Sequence, residues 1–166
     1  VAFQVGNHAA SIVCVRKDWQ RHGLGTKLFH ASLCRAYRDD VNVLVVECMP
    51  PTSLPFWQKQ GFEQCGDASM WGGIPARRVL HRSYELPPEL PRADVTITFY
   101  PEEAKYRPKT PPLIVSNVKG AWLDDGSVML EERIVGLTDR RSIDRDLVVR
   151  VVVDGVERCF CKAKYE

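Results

Sequence analysis

The chain has almost no excess of charge of either sign: 23 Lys and Arg stand against 21 Asp and Glu, a formal net charge of +2, with an isoelectric point near 8.3. That is too mild for a protein that grips a phosphate backbone, so no direct nucleic-acid contact is expected. No apolar run approaches the ~20 residues that a bilayer span needs, so no membrane partner is expected either. No secretory leader is visible, although the chain opens on Val1 and its true start could lie upstream. The six cysteines, at 14, 34, 48, 65, 159 and 161, contain no Cys-x-x-Cys pair and no Cys/His set at zinc spacing, so no metal is expected. Cys14 and Cys48 fall inside apolar runs, where a free thiol behaves as a small hydrophobe. This usage reads as a reduced intracellular protein, nuclear or cytoplasmic, without structural disulfides; oxidation of the Cys159/Cys161 pair is the alternative. No fixed-period repeat and no low-complexity tract is present. What is there is an ordinary globular composition, 166 residues that are 45% hydrophobic and 27% charged, enough for one full core or two small ones.

The stretch Ser11 to Thr26 organises the rest. Ile12-Val13-Cys14-Val15 is a β-branched apolar run and predicts a buried strand. A polar turn leads to Gln20-Arg21-His22-Gly23-Leu24-Gly25-Thr26, and a helical pattern begins at once, with Leu24, Leu28, Leu33 and Tyr37 at helix-like spacing. A strand feeding a glycine-rich loop that opens a helix is an anion site, because the first amide N–H groups of a helix have no internal partner and the dipole adds about half a positive charge there. Gly23 and Gly25 let a ligand approach the backbone with no Cβ in the way.

The loop is not a Walker loop, since no Gly-Lys-Ser/Thr comes after it. Nor is it a dinucleotide fingerprint, since the third glycine and the acidic residue of a second strand are missing. A tight turn before a helix is the simplest reading of two glycines alone. The spacing Gln/Arg-x-x-Gly-x-Gly, however, resembles the pyrophosphate loop of the GNAT N-acetyltransferase superfamily, which holds coenzyme A. The order of the downstream segments agrees: an apolar run, Val41 to Cys48, and then Pro55-Phe56-Trp57-Gln58-Lys59-Gln60-Gly61-Phe62, which looks like the family's short helix with its closing Gly-Phe. The wording is most similar to the PCAF-like histone acetyltransferases, in Gly25-Thr26-Lys27-Leu28 and in Lys59-Gln60-Gly61-Phe62. The resemblance covers about Ser11 to Leu86. It implies an α/β (α+β) fold, a GNAT-like mixed central sheet with flanking helices, succeeded here by a β-rich C-terminal segment.

The resemblance also implies acetyl-CoA as cofactor, with Val13, Cys14, Val15, Gln20, Arg21, His22, Gly23, Leu24, Gly25, Thr26, Ser53, Phe56, Trp57 and Lys59 as its binding residues. Free backbone groups of Val13 and Val15 would receive the pantetheine arm like an added strand, provided that the strands from Ser11 and Val41 splay apart. A backbone N–H near Val13 would face the oxyanion. Core packing is the competing role for Phe56, Trp57 and Phe62. The acceptor amine must lose a proton before attack, since an ammonium of pKa ~10.4 is not a nucleophile. Here the chain departs from the family. The glutamate base of PCAF-like enzymes aligns with Ala9, flanked by His8, and the superfamily's thiolate-protonating tyrosine aligns with Trp57. His8 has the intrinsic pKa of a base. Glu47, at the end of the second strand, is the other candidate, if buried enough for its pKa to rise. An exposed turn residue and a salt-bridged strand end are the plain alternatives for these two.

Along the chain, Val1 to Val5 predicts a strand, paired to Ser11–Val15 through a turn at Gly6-Asn7. The helix should end near Arg38-Asp39-Asp40. Met49 to Pro55 reads as a rigid loop, with Thr52 or Ser53 capping the next helix and Gly61 just past its end. Trp71 to Pro75 reads as a loop and Val79 to Leu86 as a strand. The proline-rich Leu86 to Pro91 is the expected boundary, giving a GNAT-like domain at 1–86, a linker at 87–91 and a β-rich segment at 92–166. In that last segment Val95 to Tyr100 reads as a strand, Lys105 to Pro112 as an exposed loop, and Asp125-Gly126 and Asp154-Gly155 as hairpin turns. Only about ten residues precede Ile12, where the family has further strands and helices. The chain is then a fragment, or the second half completes the sheet in a permuted order, or the second half is a separate module. The expected activity is transfer of an acetyl group to a protein lysine such as that of a histone tail. A catalytically degenerate binding scaffold and a small-molecule amine acetyltransferase are the alternatives. The sequence is silent on oligomeric state.

Overall fold

The computed structural model describes residues 1–6, 12–107, 109–136 and 147–163. Two compact units divide the chain, Val1–Leu80 and His81–Glu166. The fold is α+β, with short helices confined to the first unit apart from a 3-10 turn at Glu102–Lys105, and every ladder among the described residues is antiparallel.

The first unit begins with a two-stranded ladder of β1 (Ala2–Val5) and β2 (Ile12–Val15), in the register Ala2↔Val15 to Val5↔Ile12. The hairpin turn expected at Gly6-Asn7 lies mostly outside the described residues. Helix α1 (Leu24–Arg38) comes next, with Gly23 at its N-cap in the left-handed region, φ 77°. Its buried face is Phe29, Ser32 and Ala36 rather than the leucine stripe of the sequence, with Leu33 and Tyr37 only partly covered. The helix ends where Asp39 N–H donates to the Arg35 carbonyl at 2.8 Å.

Strand β3 (Val43–Cys48) has a period-2 pattern in which Leu44, Val46 and Cys48 are buried and the alternating residues face out. It pairs with β5 (Ile74–Val79), which also pairs with β4 (Glu63–Gln64). Between them lie a 3-10 turn at Pro51–Ser53 and helix α2 (Leu54–Lys59). Gly61 closes α2 in the left-handed region, φ 81°: its N–H donates to Gln58 and that of Phe62 to Trp57, at 2.9 and 3.1 Å, a Schellman close that only a residue without Cβ makes readily. Phe62 is thereby turned into the core. Phe29, Trp57 and Phe62 meet edge to face with ring centroids 5.3–5.8 Å apart. Core packing is thus the role of Phe62 and one role of Trp57.

The second unit is a five-stranded antiparallel sheet in the order β10-β9-β6-β7-β8, made of β6 (Arg92–Tyr100), β7 (Ile114–Trp122), β8 (Val128–Leu130), β9 (Val148–Val153) and β10 (Val156–Lys162). Its hairpins fall at the expected Asp-Gly turns: Gly126 has φ 81°, and Asp154 and Gly155 have φ 50° and 77°. The boundary differs from the expected one. Val79 ends β5, Leu80 N–H still donates to Asn42 in the first unit at 2.9 Å, and from His81 the chain belongs to the second: Tyr84 N–H donates to Glu131, and Arg133 N–H to Arg82. Beyond Val79, residues 80–86 form no strand apart from an isolated bridge at Ser83↔Glu132, and the prolines of 87–91 lie inside the second unit.

Candidate active site

Strands β2 and β3 belong to different sheets, so an open edge of β2 is available within the first unit. The ladder decides which of its groups are free. Arg16 N–H donates to the Val1 carbonyl at 2.8 Å, in the same register as β1–β2. Hydrogen-bonded pairs in an antiparallel ladder alternate, so Cys14 and Ile12 bond to β1, and the backbone groups of Val13 and Val15 point the other way. Of these, the Val15 carbonyl is already taken, by Gln20 Nε2 at 3.0 Å. Gln20 therefore pins the loop to the strand, which leaves the Val13 groups and the Val15 N–H on the free edge.

A cavity of about 830 Å³ opens along this edge, a size usual for ligand sites. Its walls are Val13 and Val15 of β2, the loop residues Trp19, Gln20, Arg21 and Gly23, the first turn of α1 (Leu24, Gly25, Thr26), Glu47 and Met49 at the end of β3, and Thr52, Ser53, Phe56 and Trp57 around α2. The helix ladder starts only at Lys27, whose N–H donates to the Gly23 carbonyl at 3.0 Å. The amides of Leu24, Gly25 and Thr26 come before it and have no backbone partner among the described residues. A Cβ on Gly23 would meet nothing within 4 Å, and one on Gly25 would touch the Phe56 ring at 3.5 Å. The corner is open, with bare amides and the Arg21 side chain at its rim.

Twelve of the fifteen lining residues are among those named from the sequence. Three named ones are not in the wall. Cys14 is exposed and belongs to the bonded side of β2, so strand alternation takes it away from the cavity. His22 donates from Nδ1 to the Gln20 carbonyl at 2.9 Å and has the Trp19 ring for a neighbour, with ring centroids 6.3 Å apart. Lys59 is exposed at the end of α2. His8 lies outside the described residues. Trp19, Met49 and Thr52 were missed, although each directly flanks a motif.

Glu47 is exposed rather than buried. It is held instead by a loop. Ser69 Oγ–H donates to Glu47 Oε1 and accepts the N–H groups of Trp71 and Gly73 at 3.3 and 3.2 Å. With both amides on its oxygen, the hydroxyl has its proton left for the carboxylate. Ser53 differs from expectation too. It stands at the N-cap of α2 but makes no capping bond: its φ of −81° and ψ of −14° are helical rather than extended, and Pro55 offers no N–H. Its Oγ is buried and has no partner among the described residues, yet it lines the cavity.

An open glycine corner of unpaired amides, a free strand edge and a carboxylate at the far strand end meet around one cavity. Residues 2–78 match the family model of the acetyltransferase (GNAT) domain, which supports placing the first unit in the GNAT superfamily and supports acetyl transfer as its general chemistry. No curated protein and no solved structure matches the chain. Among the described residues no helix is long and apolar enough to cross a membrane.

Proposed function

We propose that the first unit is an acetyl-CoA-dependent N-acetyltransferase whose acceptor is a lysine amine of a protein, such as a histone tail. The observation that carries the reading is the cavity itself, where the glycine corner, the free edge of β2 and Glu47 meet. The acceptor class is favoured by the wording of Gly25 to Leu28 and Lys59 to Phe62, which resembles PCAF-like histone acetyltransferases; such a substrate would be met in the nucleus or the cytoplasm.

The residues fit the cofactor. The amides of Leu24, Gly25 and Thr26, with Arg21, receive the diphosphate, where hydrogen bonds to a charged group contribute roughly 1.5–3 kcal/mol each. The Val15 N–H and the free groups of Val13 receive the arm, and the Val13 N–H faces the carbonyl oxygen as it gains charge. Acetyl-CoA, when bound, supplies the acetyl group as a thioester. Glu47 takes the proton of the incoming ammonium, held in place by Ser69.

Calorimetric titration with acetyl-CoA tests the reading. Wild type should bind, and Gly23→Asp, which strains the left-handed φ less than most side chains would and sets a carboxylate at the diphosphate site, should weaken binding at least roughly tenfold. No heat at millimolar ligand would end the proposal. Binding without turnover on histone peptides, polyamines or aminoglycosides would favour the scaffold alternative, and turnover on the small amines alone would replace the protein acceptor.

A further inference from the structure

The second unit holds a pair of sulfurs for which acetyl transfer has no use. Cys159 and Cys161 stand two residues apart on β10, so strand alternation puts both on one face. Their Sγ atoms are 3.0 Å apart. Phe160, between them, faces the other way and has the Tyr100 ring for a neighbour, with centroids 6.2 Å apart. A disulfide bond is about 2 Å long, so closing one asks each sulfur to move only about half an ångström. A zinc ion asks for something different: two thiolates at about 2.3 Å from a tetrahedral ion stand about 3.8 Å apart, and two more ligands are needed. Among the described residues no group of three or more His, Cys, Asp or Glu side chains is placed to hold a metal. The spacing favours a bond between the sulfurs themselves.

The place of the pair in the sheet makes such a bond accessible and easily undone. Alternate residues of a strand stand about 6.8 Å apart, the upper end of the Cα separation that a disulfide spans. Closure therefore draws the strand in. β10 is an edge strand that pairs with β9 alone, and its ladder already shifts register between Glu157 and Cys159. The contraction then disturbs one ladder, beside an existing irregularity. A disulfide under that tension on an exposed edge is of the labile kind that thiols reduce. Cys161 is exposed and Cys159 is half-buried, so a reagent from solvent meets Cys161 first. The hydrogen bond between the two, then desolvation, push the Cys159 thiol above its ordinary range, which fits Cys159 as the S–H donor and Cys161 as the sulfur that attacks.

The geometry points to a reversible redox-modification site at Cys159 and Cys161, closed into an intrastrand disulfide by exchange with a low-molecular-weight disulfide such as that of glutathione. The Cys161 thiolate attacks one sulfur of the small disulfide, and the other half leaves as a thiolate. The Cys159 sulfur then attacks Cys161 Sγ, its proton passing to the second small thiolate as that leaves. The protein dithiol is oxidised by two electrons, and one small disulfide is reduced to two thiols. No step involves the cavity of the first unit.

Trypsin cuts after Arg158 and after Lys162, so one tetrapeptide carries both cysteines and no others. The test exposes the reduced full chain to glutathione disulfide, quenches it with acid, alkylates the remaining thiols and maps that peptide by mass. In wild type it should lose two hydrogens and take up neither glutathione nor alkylating agent, and excess reduced glutathione should restore both alkylatable thiols. Cys159→Ser should stop one step earlier, with one glutathione on Cys161. A wild-type peptide that keeps glutathione, that stays fully alkylatable, or that is found joined to a second copy of the chain would overturn the proposal. So would an internal disulfide that excess reduced glutathione fails to open. Because wild type alone decides each of these outcomes, none depends on the folding of a variant.

Discussion

A methyl group placed on Gly73 would stand 2.3 Å from Oε1 of Glu47 and 2.4 Å from its Cγ. Gly73 and Glu47 are neighbours because β3 and β5 run antiparallel with Glu47 opposite Pro75, and Gly73 is the residue that leads into β5 at Ile74. The glycine is buried while the carboxylate beside it is exposed. An added methyl would therefore force the Glu47 side chain out of its present place beside Ser69. Glycine here serves close approach, and no unusual backbone angle is involved.

Gly73→Ala should accordingly separate catalysis from stability. The overlap takes in Cγ and Cδ of Glu47 as well as Oε1, so the whole side chain must swing to another rotamer, and the melting temperature should fall by a few degrees, about 1 kcal/mol of stability, without loss of the fold. If Glu47 is the base, kcat should fall toward that of Glu47→Gln, about 100-fold or more, as for loss of a general base. The KM for acetyl-CoA should hold, because the glycine corner is untouched. Steady-state kinetics alongside thermal melts read both; unchanged kcat in Gly73→Ala and Glu47→Gln would remove Glu47 from the mechanism.

The strand, glycine loop and helix were legible because each rests on neighbours in sequence. A β-branched run, two glycines and a 3.6-residue pattern need nothing distant to form, and the Asp-Gly hairpin turns are equally local. What was illegible depends on partners far along the chain. Leu86 to Pro91 reads as a linker by composition, yet Arg82 and Tyr84 are tied to Arg133 and Glu131 far along the chain, and that fixes the division at Leu80. Ser69 lies 22 residues from Glu47, and nothing in Met70-Trp71-Gly72-Gly73 announces that the loop holds a carboxylate. Ser53 had the residue type of a cap, but the 3-10 turn that it closes holds its backbone in the right-handed helical region rather than the extended one a cap adopts, and Pro55 removes one of the two N–H groups a cap could serve.

In β10, Cys159 and Cys161 lie with their Sγ atoms 3.0 Å apart. The hydrogen bond to Cys161, then desolvation, push the Cys159 thiol above its ordinary range. A raised pKa means less thiolate at a given pH, and thiolate is the reactive form. Cys159 should therefore alkylate with iodoacetamide more slowly at pH 8 than an ordinary exposed thiol. Cys161→Ala, which removes the hydrogen-bond partner, should speed it. Peptide mapping after timed alkylation reads each cysteine separately, and equal rates in the two proteins would mean that the thiols do not interact in solution.

Asp154 ties three strands of the second unit. It accepts the Asp94 N–H at 2.8 Å through Oδ1 and the Trp122 indole N–H at 3.0 Å through Oδ2. These two bonds, the backbone one foremost, hold its carboxyl below the usual carboxylate range. A group whose pKa is lower folded than unfolded adds stability above its unfolded pKa, near 3.9, and loses it as pH falls through the folded value. Asp125 behaves likewise, lowered by the hydroxyl and N–H of Ser127 in the β7–β8 turn. The second unit should hold its full melting temperature at pH 5 and above and lose it progressively below pH 4. Asp154→Asn should be less stable at pH 7 and show a flatter acid limb, because its amide cannot gain or lose that charge. The indole of Trp122, whose donor would lose its acceptor, offers a fluorescence probe of the same transition. An acid limb identical in Asp154→Asn and wild type would show that this carboxylate contributes nothing to the pH dependence.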